Sequence, residues 1–246
     1  LAADVLARQS GNEMLSPYKT PDQQIELARK AENDAFFSAI SGVAPIKVVK
    51  FLIGELGWRG TGKFLRDRSS MMRSANINPP SGNRARKVLR MFLESLSDSL
   101  SDNPFLQGAL PGYADFCCYH PLWMHQALMR SKQDWPCAVK SWFTKLSNIG
   151  HGKFRKIPEE RAEKLFDESQ ESTSNTVSDV RKCVIQRVII SPSDYARDGS
   201  EGLLVSKDRK EIILKRYLEN GTSAYLHFPL RGFDLKPIET IDREFR

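Results

Sequence analysis

The amino-acid sequence predicts a mainly helical protein that ends in a small antiparallel β extension. Apolar residues recur at helical spacing through the first two thirds of the chain, and the polar stretch at 167–179 has the composition of a linker. Beyond it, short apolar runs alternate with charged turns, which is typical of strands. We therefore expect a leading segment over residues 1–19, a helical domain over 20–170 and a β extension over 180–246.

Composition narrows the class of protein. The chain has 246 residues, of which 40% are apolar and 27% charged, as in ordinary globular proteins. No uncharged apolar run reaches the length of a membrane span, so no membrane partner is expected. The cysteines have neither metal-ligand nor disulfide-framework spacing, which predicts a cytoplasmic protein without a bound metal; they are Cys117, Cys118, Cys137 and Cys183.

The first helices are predicted from their start and stop residues and from the helical spacing of apolar residues. Residues 1–9 have the pattern of a helix that stops near Gly11. Thr20-Pro21-Asp22 is a start signal with Thr20 as N-cap, and the helix that follows is interrupted near Gly42 and Pro45. Further helices are predicted over 46–56, from Arg84 to about Leu100, and over 136–149, the last with an apolar face of Val139, Trp142, Phe143 and Leu146.

Residues 57–64 nearly match a phosphate-binding loop, with Gly62-Lys63 in the expected places. Phe64 stands where a Ser or Thr hydroxyl must bind Mg²⁺, and the preceding residues are helical in pattern rather than a strand. We therefore expect a glycine-rich bend between helices, not a nucleotide site.

Between Gly57 and Leu93 the chain carries a basic segment opposed only by Asp67. No aromatic residues interleave to stack bases, so nucleic acid is not expected as a partner. The simplest interpretation is a solvated helical face; the alternative is an electrostatic docking surface. The basic residues are Arg59, Lys63, Arg66, Arg68, Arg73, Arg84, Arg86, Lys87 and Arg90.

The most informative stretch is the turn at 105–108 and the segment over 113–130. Gly112 stands at the N-cap position, and Asp115 lies three residues later, where a carboxylate can bind backbone N–H groups. The segment is apolar almost all round, which predicts a fully buried helix, bent at Pro121. In such a helix His120 is expected to be a structural histidine, and core packing is the default for Tyr119 and Trp123.

The β extension is predicted as a meander. A strand is expected over 184–190, two more around 203–205 and 212–214, and a hairpin at Asn220-Gly221 followed by a strand over 224–228. We expect a small core packed together and against the helical domain, with Phe233 as an apolar anchor; its members are Val184, Val188, Ile190, Ile213, Leu226 and Phe228.

The turn Phe105-Leu106-x-Gly108, the carboxylate cap and the pair Ala114-Asp115 resemble the central helix of the glutathione S-transferase (GST) C-terminal domain. The family usually has Ser or Thr where Gly112 stands. Residues 1–9 are similar to the last helix of the family's thioredoxin-like domain, so the resemblance implies that residues 1–19 are a remnant of that domain followed by a linker. The runs at 119–123, 191–198 and 227–233 are similar to a bacterial subgroup with a C-terminal β extension.

This resemblance implies a transferase that acts on a hydrophobic electrophile with glutathione as co-substrate, and a homodimer. The family's glutathione-binding and thiol-activating residues lie in the thioredoxin-like domain, most of which is not in this chain, so no catalytic residue is assigned and the chain alone is expected to be inactive. The resemblance places the electrophile on the first long helix and the central helix, at Phe36, Phe37, Ile40, Tyr119 and Trp123. The alternative is a non-enzymatic interaction module that uses the helical fold and the basic segment.

Overall fold

A computed structural model describes residues 2–75, 77–100, 103–130, 134–150, 152, 154–162, 164–165, 185–218, 221 and 223–241. The predicted linker at 167–179 lies outside these residues. The chain divides into two compact units, a helical unit of residues 2–67 and 78–152 and a second unit of residues 68–77 and 153–246. The second unit contains a β-sheet. The predicted fold class, mainly helical with a small antiparallel sheet, is confirmed.

Seven α-helices have both ends within the described part of the chain, and residues 159–162 are helical as well. Helices α2 and α3 continue into one another through a π-helical turn at Ala31–Ala35. The prediction that Thr20 caps α2 is wrong, because Pro21 is the N-cap residue of α2, and the Thr20 hydroxyl donates to the Ser16 carbonyl at 2.9 Å. The helices are α1 (Ala2–Ser10), α2 (Asp22–Lys30), α3 (Phe36–Ser41), α4 (Pro45–Arg73), α5 (Gly82–Ser99), α6 (Tyr113–Met129) and α7 (Cys137–Ser147).

Helix α4 is broken at Gly57, where φ is +66°. This left-handed backbone is strained for any residue with a Cβ, so glycine is needed at the break. Residues 58–64 continue as helix rather than as a phosphate-binding loop. The expected bend is therefore present, and Gly57 alone of the glycines in that stretch has a positive φ.

The core of the helical unit lies among α2, α3, α5, α6 and α7. All four predicted apolar residues of α7 are buried, and Trp142 is almost completely so. Small side chains at Ala31, Ala35 and Ala39 are fully buried and let the first long helix approach its neighbours closely. The residues of α7 that the helical periodicity predicted to face inward are therefore the ones that lie in the core.

Helix α6 departs from the prediction of a fully buried helix. Its inner face, with Ala114, Cys118 and Leu122, is buried, but Phe116 and Trp123 are 43% and 46% exposed. His120 is also exposed, so it is not a buried structural histidine. An all-apolar composition cannot distinguish a helix buried on every side from one whose second side lines a cavity.

Five antiparallel strands form one sheet in the order β4-β3-β2-β1-β5. The meander β1–β4 follows the predicted strands, whereas β5 was not predicted. Strand β5 pairs with β1 along its length, from Pro192↔Phe233 to Ile185↔Ile241. The strands are β1 (Ile185–Pro192), β2 (Ser200–Lys207), β3 (Glu211–Tyr217), β4 (Ser223–Pro229) and β5 (Phe233–Ile241).

The sheet curves back on itself. Strands β4 and β5 lie at opposite edges, yet only residues 230–232 connect them, so the two edges must approach. The rings of Phe228 and Phe233 accordingly lie 5.3 Å apart across the fold. This curvature gives the small sheet an inner side that holds a core.

The sheet's own core consists of Val188, Ile190, Ile212 and Leu214. Ile213 was predicted to belong to it, but side chains alternate along a strand and the inward positions of β3 are 212 and 214. The predicted core residue Val184 lies outside the described part of the chain. Phe233 is half-buried against this core rather than fully inserted.

Within the described residues, no single helix is both long and apolar enough to cross a membrane; the pair Asp22–Ser41 and Pro45–Arg73, bent by 93°, meets the length and composition criterion only together.

Candidate functional site

A cavity of about 940 Å³ opens between α6 and α7 on the surface of the helical unit. Small-molecule sites in proteins have volumes of this order, with apolar walls and a few polar groups. We call this cavity the α6–α7 groove. Its lining residues are Phe116, Tyr119, His120, Trp123, Gln126, Ala127, Arg130, Phe143, Leu146, Ser147, Ile149 and Gly150.

One wall of the groove is the exposed face of α6. Phe116, His120 and Trp123 follow one another at spacings of four and three residues, so their side chains lie above one another on one helical face. Gln126 and Arg130 continue the same row to the end of the helix. The wall is therefore aromatic over two turns and polar at its C-terminal end.

Tyr119 connects this wall to α7. Its ring stacks on Phe143 with the ring centroids 4.7 Å apart. Its hydroxyl forms a 3.0 Å hydrogen bond with the Ser147 hydroxyl. The tyrosine side chain is thereby tied to α7 both at its ring and at its hydroxyl.

The structure brings two of the five predicted electrophile-side residues into the groove, Tyr119 and Trp123. Phe36 lies behind the wall, stacked on the His120 ring at 5.0 Å, and Phe37 packs against Phe36 at 5.4 Å. Ile40 is half-buried and is not among the described lining residues. The first long helix thus supports the groove through His120 rather than lining it.

Asp115 holds the N-terminal end of α6 in place. Its Oδ2 accepts the Gly112 N–H at 2.9 Å, and its Oδ1 accepts the Leu106 N–H at 2.9 Å. The Trp142 indole also donates to Oδ1, at 2.7 Å, which ties α7 to α6. Burial raises the pKa of Asp115, while these donated hydrogen bonds act in the opposite direction.

Arg130 lies at the other end of α6, and sequence reasoning missed it. It has left-handed backbone, with φ +51° and ψ +26°, where the helix ends. Its guanidinium lies 5.6 Å from the ring centre of Phe51 and 3.6 Å from a carboxylate oxygen of Glu55. The signal was available in the sequence, because Arg130 is the first charged residue after Asp115 and lies seven residues beyond Trp123, on the same helical face.

The thiols near the groove are not activated. Burial, with a smaller contribution from the Glu32 carboxylate, raises the pKa of Cys117 to about 12, against a partial lowering by its hydrogen bond with Tyr113. Burial also raises the pKa of Cys118 well above its ordinary value. These two thiols therefore stay protonated at neutral pH and are not nucleophiles. No cluster of three potential metal ligands occurs within the described part of the chain.

The two walls of the groove lie within a recognised domain. Residues 81–149 match the family model of the glutathione S-transferase C-terminal domain. The chain contains a GST C-terminal domain. The predicted resemblance is confirmed, and the match spans α5, α6, α7 and every described lining residue except Gly150.

A solved structure is similar over almost the whole chain. It is a GST-like protein from Pseudomonas syringae, with 20% sequence identity and a TM-score of 0.56, and the alignment covers 96% of this chain and 76% of that one. At this identity the likeness shows that the fold is shared beyond the GST C-terminal domain. No curated protein matches the chain.

Proposed function

We propose that the intact protein is a cytoplasmic GST-like enzyme that conjugates or exchanges glutathione on a hydrophobic electrophile, and that this chain supplies the electrophile side. The observation that carries the proposal is the α6–α7 groove, an aromatic cavity of about 940 Å³ inside the GST C-terminal domain. Its walls bind by burial of apolar and aromatic surface, which is how a protein holds a hydrophobic substrate.

The residues of the groove suggest which part of the reaction this chain would serve and which part a thioredoxin-like domain would serve. The groove has aromatic walls, the side chain of Tyr119 and the positive charge of Arg130, but the thiol of Cys117 beside it is protonated. Glutathione would then be bound and its thiol activated by a thioredoxin-like domain of the intact protein, in a homodimer and without a metal. The groove would contribute by holding the electrophile close to the thiolate, which converts a bimolecular reaction into an effectively unimolecular one.

The test compares two tryptophans in the full-length protein. Trp123→Ala removes a groove wall, whereas Trp58→Ala removes a tryptophan that is 79% exposed on α4 and does not line the groove. In a glutathione-dependent assay with aromatic electrophiles, W123A should raise the KM for the electrophile about tenfold, with an unchanged KM for glutathione. W58A should behave like the wild type. Equal KM values for the electrophile in all three proteins, or no glutathione-dependent turnover with any electrophile, would contradict the proposal.

The second candidate is an interaction module, and the exposure of the basic segment favours it. Arg59, Lys63 and Arg66 are exposed on α4, and Arg84, Lys87 and Arg90 are exposed on α5. Arg86 is excluded from the test, because it donates to the Gly42 carbonyl at 3.2 Å and has a structural role.

The two candidates respond differently to simple measurements. A triple variant R84A/K87A/R90A should lose salt-sensitive binding to an acidic partner if the segment is a docking surface. A thermal shift of the full-length protein with glutathione should be positive for the enzyme and absent for the module. Unchanged partner binding by the triple variant would remove the support for the module.

A further inference from the structure

We propose that Arg130 binds an anionic group of the ligand, so that the α6–α7 groove selects aromatic molecules that carry a carboxylate or a sulfonate. The inference rests on the proposed function only in taking this ligand to be the electrophile.

The charge distribution of the groove is one-sided. Arg130 carries a full positive charge, and no carboxylate occurs among the described lining residues. The aromatic face of α6 leads directly to it, through Trp123 and then Gln126, whose side-chain amide can donate beside the guanidinium. A ligand whose rings lie along this face therefore places a terminal substituent next to Arg130.

Two residues of α4 hold the Arg130 side chain. Phe51 lies under the guanidinium as a cation–π partner, and Glu55 pairs with Nη2 at 3.6 Å. Gly54 lies between them, and a Cβ there would lie 3.3 Å from Nη2, so a larger residue would displace the guanidinium by a few tenths of an ångström. Arg130 itself is the C-cap of α6, and its left-handed backbone ends the helix there.

The ion pair with Glu55 leaves room for a ligand. Both side chains are more than half exposed, and an exposed pair of this length contributes little to stability. The contact joins Nη2 to Glu55 Oε1 at 3.6 Å, longer than a good charge-assisted hydrogen bond. The guanidinium can therefore pair bidentately with a planar or tetrahedral anion in the groove, which is the stronger arrangement.

The experiment uses two fluorescent probes that share their ring system, 8-anilinonaphthalene-1-sulfonate and uncharged N-phenyl-1-naphthylamine. We expect the wild-type chain to bind the sulfonate about tenfold more tightly than the neutral probe, since a charge-assisted hydrogen bond is worth about one such factor. Arg130→Gln should abolish the preference while leaving the affinity for the neutral probe unchanged, and R130K should retain part of it.

Two further variants make the result specific. Arg29→Gln is the matched control, since Arg29 has a similarly exposed ion pair, 3.7 Å from Glu26, and does not line the groove; it should keep the wild-type preference. Glu55→Gln should strengthen sulfonate binding severalfold because the competing carboxylate is gone. Melting curves by circular dichroism establish that each variant is folded.

The outcomes separate this inference from the proposed function. If R130Q keeps the sulfonate preference, or if R29Q loses it equally, the assignment of Arg130 is overturned even though the groove still binds ligands. If Trp123→Ala leaves the binding of both probes unchanged, the groove is not their site, and both the assignment and the observation behind the proposed function fail. Neither probe reacts with glutathione, so binding is read without turnover.

Discussion

At the scale of single residues, Asp115 is the group on which the most structure depends. One carboxylate accepts hydrogen bonds from the turn at Leu106, from the helix start at Gly112 and from the Trp142 indole. These donors belong to three different segments, and each would be buried without a partner if the carboxylate were removed. The sequence predicted the bond to the helix start from the spacing to Gly112; it could not show Trp142, which is 27 residues away.

Two substitutions at Asp115 should therefore differ in cost. Asp115→Ala leaves three donors unpaired and should lower the free energy of unfolding by about 3 kcal/mol or more. Asp115→Asn keeps the volume, and its amide oxygen can replace Oδ1, but its amino group then faces the Gly112 N–H, so we expect a loss of about 1–3 kcal/mol. Urea unfolding followed by circular dichroism measures both, with exposed Asp98→Ala as the control. Equal stability of D115A and wild type would show that the carboxylate is dispensable.

The cysteines give a second prediction at this scale. Burial and Glu32 raise the pKa of Cys117 to about 12, whereas Cys137 is exposed at the start of α7. In a C183S background at about pH 8, where an ordinary free thiol is partly ionised, a disulfide reagent should modify Cys137 at least about tenfold faster than Cys117. Mass spectrometry of the labelled peptides measures the two rates. Comparable rates would mean that Cys117 is accessible as a thiolate.

At the scale of elements, the sequence predicted the existence of helices better than their environment. The apolar face of α7 was predicted correctly because polar residues mark the solvent side of that helix. Helix α6 has no such marking, and its exposed row of Phe116, His120 and Trp123 looks in the sequence like a second core face. A ligand groove and a protein core use the same side chains, so periodicity alone cannot separate them.

Strand β5 was missed because its sequence has a weak strand signal, although the structure contains the strand. Its sequence, Phe233–Ile241, contains Pro237 and several charges, which weaken the strand signal. The strand forms because β1 offers it a full set of pairing positions, and the connection over residues 230–232 starts it close to the end of β4. A pairing between strands so far apart in the chain is not visible in local sequence.

The contact between Phe228 and Phe233 should stabilise this closure. Phe233→Ala removes an aromatic side chain that is half-buried against the sheet core, and we expect a loss of about 1–3 kcal/mol in the stability of the sheet. Ile238→Ala, which truncates an exposed apolar residue of the same strand, should cost less than about 0.5 kcal/mol. Hydrogen exchange of the strands measures both changes. If the two variants exchange alike, the aromatic contact does not hold β5 in place.

At the scale of the whole molecule, the question is whether the sheet depends on the helices. The sequence predicted that the β extension has too few apolar residues to stand alone. The sheet nevertheless has its own core of Val188, Ile190, Ile212 and Leu214, separate from the core of the helical unit. Two separate cores in two compact units favour two cooperative transitions over one.

The tryptophans allow a direct test, because all four lie in the helical part of the chain, at positions 58, 123, 135 and 142. Tryptophan fluorescence therefore follows the unfolding of the helical unit alone, while hydrogen exchange of residues 185–241 follows the sheet. We expect Phe233→Ala to accelerate exchange in the sheet and to leave the fluorescence midpoint in urea unchanged, and Asp115→Ala to do the reverse, since substitutions at independent sites act separately. A shift of the fluorescence midpoint in F233A as large as the change in the sheet would instead show that the two units unfold together and that the helices support the sheet, as the sequence predicted.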